Sequence, residues 1–332
     1  MHASTVPEPL WRLVSEHADS YAPHYPPAGN ADHGPMAFLA LHGLGMDVAR
    51  IEQFAARYQR RLIPQEPPLE LVNEENWRHY LGRPEAYPAL RAFFTAQIQL
   101  HGWQSALAQY LPLLVSGWVK DAFHPLIRLA YGIEFSMPSE IAAGLAYLTS
   151  VGNDPQLAAV AERSARDEDP RAYFESLQAF RNAFFVGGRF NARYRAATRT
   201  AELRPAAGRP EETLRHLSRC GLEVFHSTHD FFALHLVTAS HAFRVCSPWA
   251  GPNWSALFSV GIAAAYLAIG APPFAVLPAA AAELPLELLS MDNDEHDIKI
   301  AYSSLMQSRT LNEPTYQWVA AQYLSGRHLA AT

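Results

Sequence analysis

The chain has 332 residues, 49% of them apolar and 17% charged, with a formal net charge of −6. That size allows a large buried core and leaves little room for long solvated runs. No basic patch is present, so nucleic acid is excluded as an expected partner.

Two cysteines, Cys220 and Cys246, are too few for a disulfide framework and fit a reducing compartment. No charged-then-apolar signal opens the sequence, so a cytoplasmic location is expected. The most apolar stretch, Leu257 to Ala282, is broken by Gly261, Gly270, Pro272, Pro273 and Pro278. Its unbroken part is too short to span a bilayer, which predicts a buried core helix and no membrane partner.

In chain order, Leu10 to Ser20 has helical spacing. A Pro-, Gly- and Asn-rich loop follows over Tyr21 to Gly34. Asp32 is placed to cap the next helix, with Pro35 in its first turn and Gly43 or Gly45 at its end. A helix over Asp47 to Leu62 follows, then Asn73 to Leu81 and Tyr87 to His101. Trp103 to Lys120 is apolar on most sides. His124 to Phe135, Pro138 to Ser150, Gln156 to Arg166 and Pro170 to Phe185 are further helices. Arg193 to Gly208, basic and rich in small residues, is expected to be a mobile connection. Glu211 to Cys246 reads as a long helix interrupted near Gly221; Ala256 to Ile269 is the buried helix, and Glu313 to Leu324 the last.

No run alternates with period two for long, and no fixed-period repeat appears. The expected fold is all-α: one helical domain over residues 1–332, a compact array of about a dozen helices with a buried central metal site. No Gly-x-Gly-x-x-Gly is present, so neither flavin nor nicotinamide has a recognisable cradle.

Histidine is abundant, with fifteen in the chain, whereas Lys120 and Lys299 are the only lysines. In Asp294-Glu295-His296-Asp297-Ile298-Lys299-Ile300, His296 and Lys299 fall on the same side of a helix. A lysine facing inward needs a partner. His33 opens a helix on an apolar face, and His124 opens His124-Pro125-Leu126-Ile127-Arg128-Leu129-Ala130-Tyr131. His235 and His241 lie in one apolar run, about 120° apart, so one is placed to be a ligand and the other to orient it or a substrate. We take His241 as the ligand and His235 as the supporting residue. His226 and His229 sit at chelating spacing but in a more exposed turn, and His24 reads as surface or structural. Neither His-Glu-x-x-His nor Cys-x-x-Cys occurs.

Four segments in order carry a resemblance: Asp32 to Ala37, His124 to Glu134, Leu234 to Arg244, and Asp294 to Ile300. Together they resemble the questin oxidase-like proteins over a core of about residues 30 to 310. One departure is Asp32, where an asparagine is expected beside the histidine. The resemblance implies a non-haem Fe(II) oxygenase that cleaves a ring of a phenolic polycyclic aromatic or quinone with dioxygen, in a Baeyer–Villiger-like outcome. It implies His33, His124, His241 (or His235) and His296 as ligands, with Lys299 modified to a CO2-derived carbamate. His235, Arg128 and Tyr131 are then candidates to position or deprotonate a phenol. Two other classes remain open: a metal-dependent hydrolase with a His and carboxylated-Lys site, and a non-catalytic helical binding protein.

Overall fold

The computed structural model describes residues 5–27, 30–165, 169–184, 190–200 and 203–331. Among these residues the chain is all-α, about 70% helical, with sixteen α-helices. They are α1 (Glu8–Ser20), α2 (Gly34–Gly43), α3 (Val48–Tyr58), α4 (Tyr87–His101), α5 (Trp103–Leu114), α6 (His124–Glu134), α7 (Pro138–Val151) and α8 (Pro155–Ala161). The second half of the chain contributes α9 (Pro170–Ser176), α10 (Phe190–Ala197), α11 (Pro210–Thr228), α12 (Phe231–Cys246), α13 (Trp254–Ala268), α14 (Leu286–Met291), α15 (Glu295–Leu311) and α16 (Thr315–Ala331). One two-stranded antiparallel ribbon, β1 (His24–Tyr25) on β2 (Asn30–Ala31), pairs His24 with Ala31 and Tyr25 with Asn30.

Four helices form the centre. Helix α12 packs on α6 and α15, and α2 packs on α15 and α6. All four are buried along most of their length, and their apolar residues belong to one contiguous core. Around them, α7 covers α6, α11 covers α12 and α16 covers α15. The α6–α7 approach is close because Gly144 faces α6: a Cβ there would lie 2.6 Å from the Cα of Leu129. Helix α13 takes up the first part of the apolar stretch, as far as Ala268, and no helix among the described residues is long and apolar enough to cross a membrane. Cys220 and Cys246 are buried and free.

Helix starts follow local chemistry. Asp47, Asp230 and Asp294 accept hydrogen bonds from the first-turn N–H groups of α3, α12 and α15. Asp230 explains why the expected long helix breaks at His229, which is left-handed at φ 48°, rather than near Gly221. Gly221 instead allows α11 to approach Leu236 of α12. The expected helix over Asn73 to Leu81 is only a short 3-10 turn, Trp77–Tyr80, because Asn73 and Asn76 bond the local backbone. The run from Trp103 stops at Leu114, two residues past Pro112. Helix α10 occupies part of the segment expected to be a mobile connection.

Candidate metal centre

The central four helices bring their N-terminal turns together. His33 is the residue before α2, His124 is the first residue of α6, His235 sits in the second turn of α12, and His296 and Lys299 open α15. Their rings touch in a closed circuit: His33 to His124 at 4.5 Å, His124 to His235 at 5.1 Å, His235 to His296 at 5.5 Å, and His296 to His33 at 4.6 Å between centroids. Lys299, fully buried, places its Nζ 2.9 Å from His33 Nδ1.

The nitrogen geometry suits a cation. His235 Nδ1–H donates to the carbonyl of Phe231 at 2.7 Å, which leaves Nε2 as a lone pair facing His124 Nε2 at 3.3 Å. Two ligands about 2.1 Å from one ion at a tetrahedral or octahedral angle lie roughly 3.0–3.4 Å apart. His296 repeats the arrangement: Nδ1 lies 3.3 Å from Asp294 Oδ1, and Nε2 is buried without a hydrogen-bond partner. Anchoring one ring nitrogen to a carbonyl or carboxylate is how ligating histidines are commonly oriented. Donor atoms of His33, Glu295 and His296 all lie within 4.8 Å of one another. Glu295 also accepts from Arg61 at 2.6 Å. This donor set of imidazoles, an amine and a carboxylate fits a first-row transition metal.

The charge state agrees with that chemistry. Burial, reinforced by the neighbouring lysine and imidazoles, pushes His33, His124 and His235 well below the ordinary histidine value. Burial and Lys299 also lower His296, against the hydrogen bond it donates to Asp294. Burial brings the Lys299 ammonium down to about 7, although Glu295, Asp294 and Asp32 pull the other way.

The structure places His235, not the expected His241, in this circuit. Six residues further along α12, His241 faces another side, with Nε2 3.5 Å from Glu134 Oε1 and Nδ1 3.3 Å from Ser303 Oγ. Two further candidates lie outside the circuit. The Arg128 guanidinium pairs with Glu140 through contacts of 2.8 and 3.1 Å and lies 3.9 Å from Asp32. Tyr131 is two turns past His124, buried against Phe135 and Tyr302. His226 packs on Trp318, 6.3 Å from the ring of His229, away from the centre.

A cavity of about 760 Å³ opens onto the centre, with His33, His124, Glu295 and His296 in its wall. Phe190, Phe231 and Phe232 give it an aromatic side, and Phe190 stacks on Phe232 at 4.8 Å. Aromatic lining with a few polar groups is typical of a small-molecule site. Trp118 is fully buried against Phe243 and Phe258, away from the cavity wall.

Two acidic residues on the cavity wall, Glu295 and Asp121, were not singled out in the sequence. Glu295 adjoins His296 but carries no signal apart from its place in a first turn. His24 and Asp121 are paired: Asp121 Oδ2 accepts from His24 Nε2 at 2.5 Å and from the Tyr147 hydroxyl at 2.7 Å. Burial works to raise the Asp121 carboxyl, but His24 and Tyr147 outweigh it and bring it from 3.8 to about 2. A carboxyl lowered by folding contributes stability that is complete above its unfolded value and is lost as pH falls through the folded one. That contribution is on the order of 2 kcal/mol. Asp121→Asn is therefore expected to flatten the loss of stability between about pH 4 and pH 2 in denaturation titrations.

The other departure concerns Asp32. The cap position of α2 falls on His33, with no side-chain cap bond, and Asp32 instead accepts from the Gly34 N–H at 2.9 Å and from His17 at 2.9 Å. It thus ties the start of α2 to α1 and fixes the backbone that carries His33.

An all-α protein with a histidine–lysine centre at the meeting of four helix starts is the class these features define. The profile of the questin oxidase-like family matches residues 31–303, and the chain belongs to that family. Among named relatives, a "Baeyer-Villiger oxidase ptaJ" from Pestalotiopsis fici is 28% identical over 147 residues, 41% of this chain and 33% of the relative. A "Questin oxidase" from Aspergillus fumigatus is 29% identical over 146 residues, 41% of this chain and 30% of the relative. A "Baeyer-Villiger oxidase AgnL3" from Paecilomyces divaricatus is 32% identical over 145 residues, 41% of this chain and 31% of the relative. The alignments thus span about a third of the length of these relatives.

Proposed function

We propose that this protein is an oxidoreductase that opens a ring of a phenolic polycyclic aromatic or quinone, using non-haem iron and dioxygen. The observation that carries the reading is the circuit of four imidazoles beside the buried Lys299, three of them in the wall of an aromatic cavity. Family membership and the names of the relatives favour oxidative ring cleavage.

His33, His124, His235 and His296 would hold the iron, with Lys299 as a fifth donor. Iron(II), when bound, supplies the means of activating dioxygen. The lysine is suited to modification: an amine brought down to about 7 is substantially neutral at physiological pH. Neutral amine plus carbon dioxide gives a carbamate and a proton, which turns a weak nitrogen donor into an oxygen donor. Phe231 and Phe232 wall the cavity and hold a flat ring system against the centre, and the buried core behind excludes water.

Elemental analysis of protein purified without added metal, together with oxygen uptake on a phenolic quinone, tests this. Iron at parity with the chain and substrate-dependent oxygen uptake are expected. A zinc pair without oxygen uptake would point to a hydrolase, and a well-folded metal-free protein would sink the reading.

A further inference from the structure

Immediately before His124 the backbone does something unusual. Asp121, Ala122 and Phe123 are consecutive left-handed residues, at φ 54°, 52° and 70°. None is glycine, so each is strained, and such strain persists only where the surroundings enforce it. The turn does two things. It delivers His124 to the first position of α6, and it sets the Asp121 carboxylate in the wall of the large cavity.

The carboxylate is held from behind. His24, on β1, and Tyr147, on α7, both bond Oδ2, and His24 Nε2 lies 2.9 Å from the Tyr147 oxygen. The other oxygen, Oδ1, accepts no hydrogen bond from a described residue, and the side chain is 25% exposed. Asp121 also borders a second cavity of about 310 Å³, on whose wall His24 and Lys120 lie. Lys120 does not neutralise it, because its ammonium donates to the carbonyls of Val151 and Asn153. An ionised carboxylate can only accept. Asp121 thus puts a carboxylate acceptor on the wall of the larger cavity, which also carries His124, Arg61 and Arg193.

We propose that Asp121 accepts a hydrogen bond from a hydroxyl of the bound aromatic through Oδ1, selecting hydroxylated ligands over their methyl ethers and fixing the ring beside the centre. This rests on reading the cavity as an aromatic substrate site. A buffered carboxylate loses a charge-assisted hydrogen bond when the ligand hydroxyl is methylated, and it also meets the added methyl group.

The test is equilibrium binding without turnover. The purified protein is titrated anaerobically with 2-hydroxyanthraquinone and with 2-methoxyanthraquinone, followed by quenching of tryptophan fluorescence. The parent is expected to prefer the hydroxyl compound by roughly 10- to 100-fold. Asp121→Asn is expected to reduce that preference to within about threefold, with binding of the ether little changed. Asparagine tolerates the left-handed backbone, so the circular dichroism of the parent should be kept. Should the variant not fold, Tyr147→Phe takes its place. It removes one donor from Oδ2, and the preference should then persist or grow; its disappearance overturns the proposal. Equal binding of both probes to the parent, or a preference retained in Asp121→Asn, also overturns it while leaving the aromatic site standing. Binding of neither probe overturns the aromatic site and this proposal together.

Discussion

Lys299→Met is expected to strip the centre of its metal while leaving the helices folded. Loss of a residue that merely orients a ligand typically lowers metal affinity 10- to 100-fold, so loss of a donor should cost at least about 100-fold. Oxygen uptake should fall with the metal content. The side chain is fully buried, and its amine is held down to about 7 by burial. Methionine fills similar space without that desolvation penalty. The metal-free variant should accordingly be no less stable at neutral pH than the metal-free parent in denaturant titrations. Full iron content and activity in the variant would remove Lys299 from the centre.

A second large effect is expected one turn from His124. Arg128 and Glu140 are 1% and 0% exposed and form a paired contact between α6 and α7. Removing one partner strands a charge in the core, which costs about 3–5 kcal/mol. Arg128→Met alone should thus lower the denaturation midpoint sharply or abolish soluble expression. The double variant Arg128→Met, Glu140→Leu should recover most of the loss, since an apolar pair of similar volume is often as stable as the ions it replaces. A single variant as stable as the parent would show that the pair does not hold the two helices together.

Much of this was legible in the sequence. Tyr87 to His101 and His124 onward have helical spacing and clear ends, and α4 and α6 start where that spacing says. Lys299 stood out by scarcity and by sharing a helical side with His296. Choosing between His235 and His241 was beyond helical geometry, which separates them without saying which faces inward to the other helices. The contacts of α12 with α6 and α15 decide that, and they are tertiary. The pairing of His24, read as surface or structural, was invisible for a similar reason. It lies on a strand of two residues, too short to show alternation, and its partner Asp121 is 97 positions away. The left-handed turn at Asp121 has no glycine to announce it.

The low proton affinity of the four imidazoles has a consequence for how the centre is filled. Ordinary histidines compete with protons for an incoming cation near pH 6.5 and below, and filling such a site expels protons. Here His33, His124, His235 and His296 are all lowered, so they already offer lone pairs at neutral pH. On the proposed reading, Lys299 would be the main source of any proton expelled on filling. Mild acidity would then act on the centre largely through its lysine.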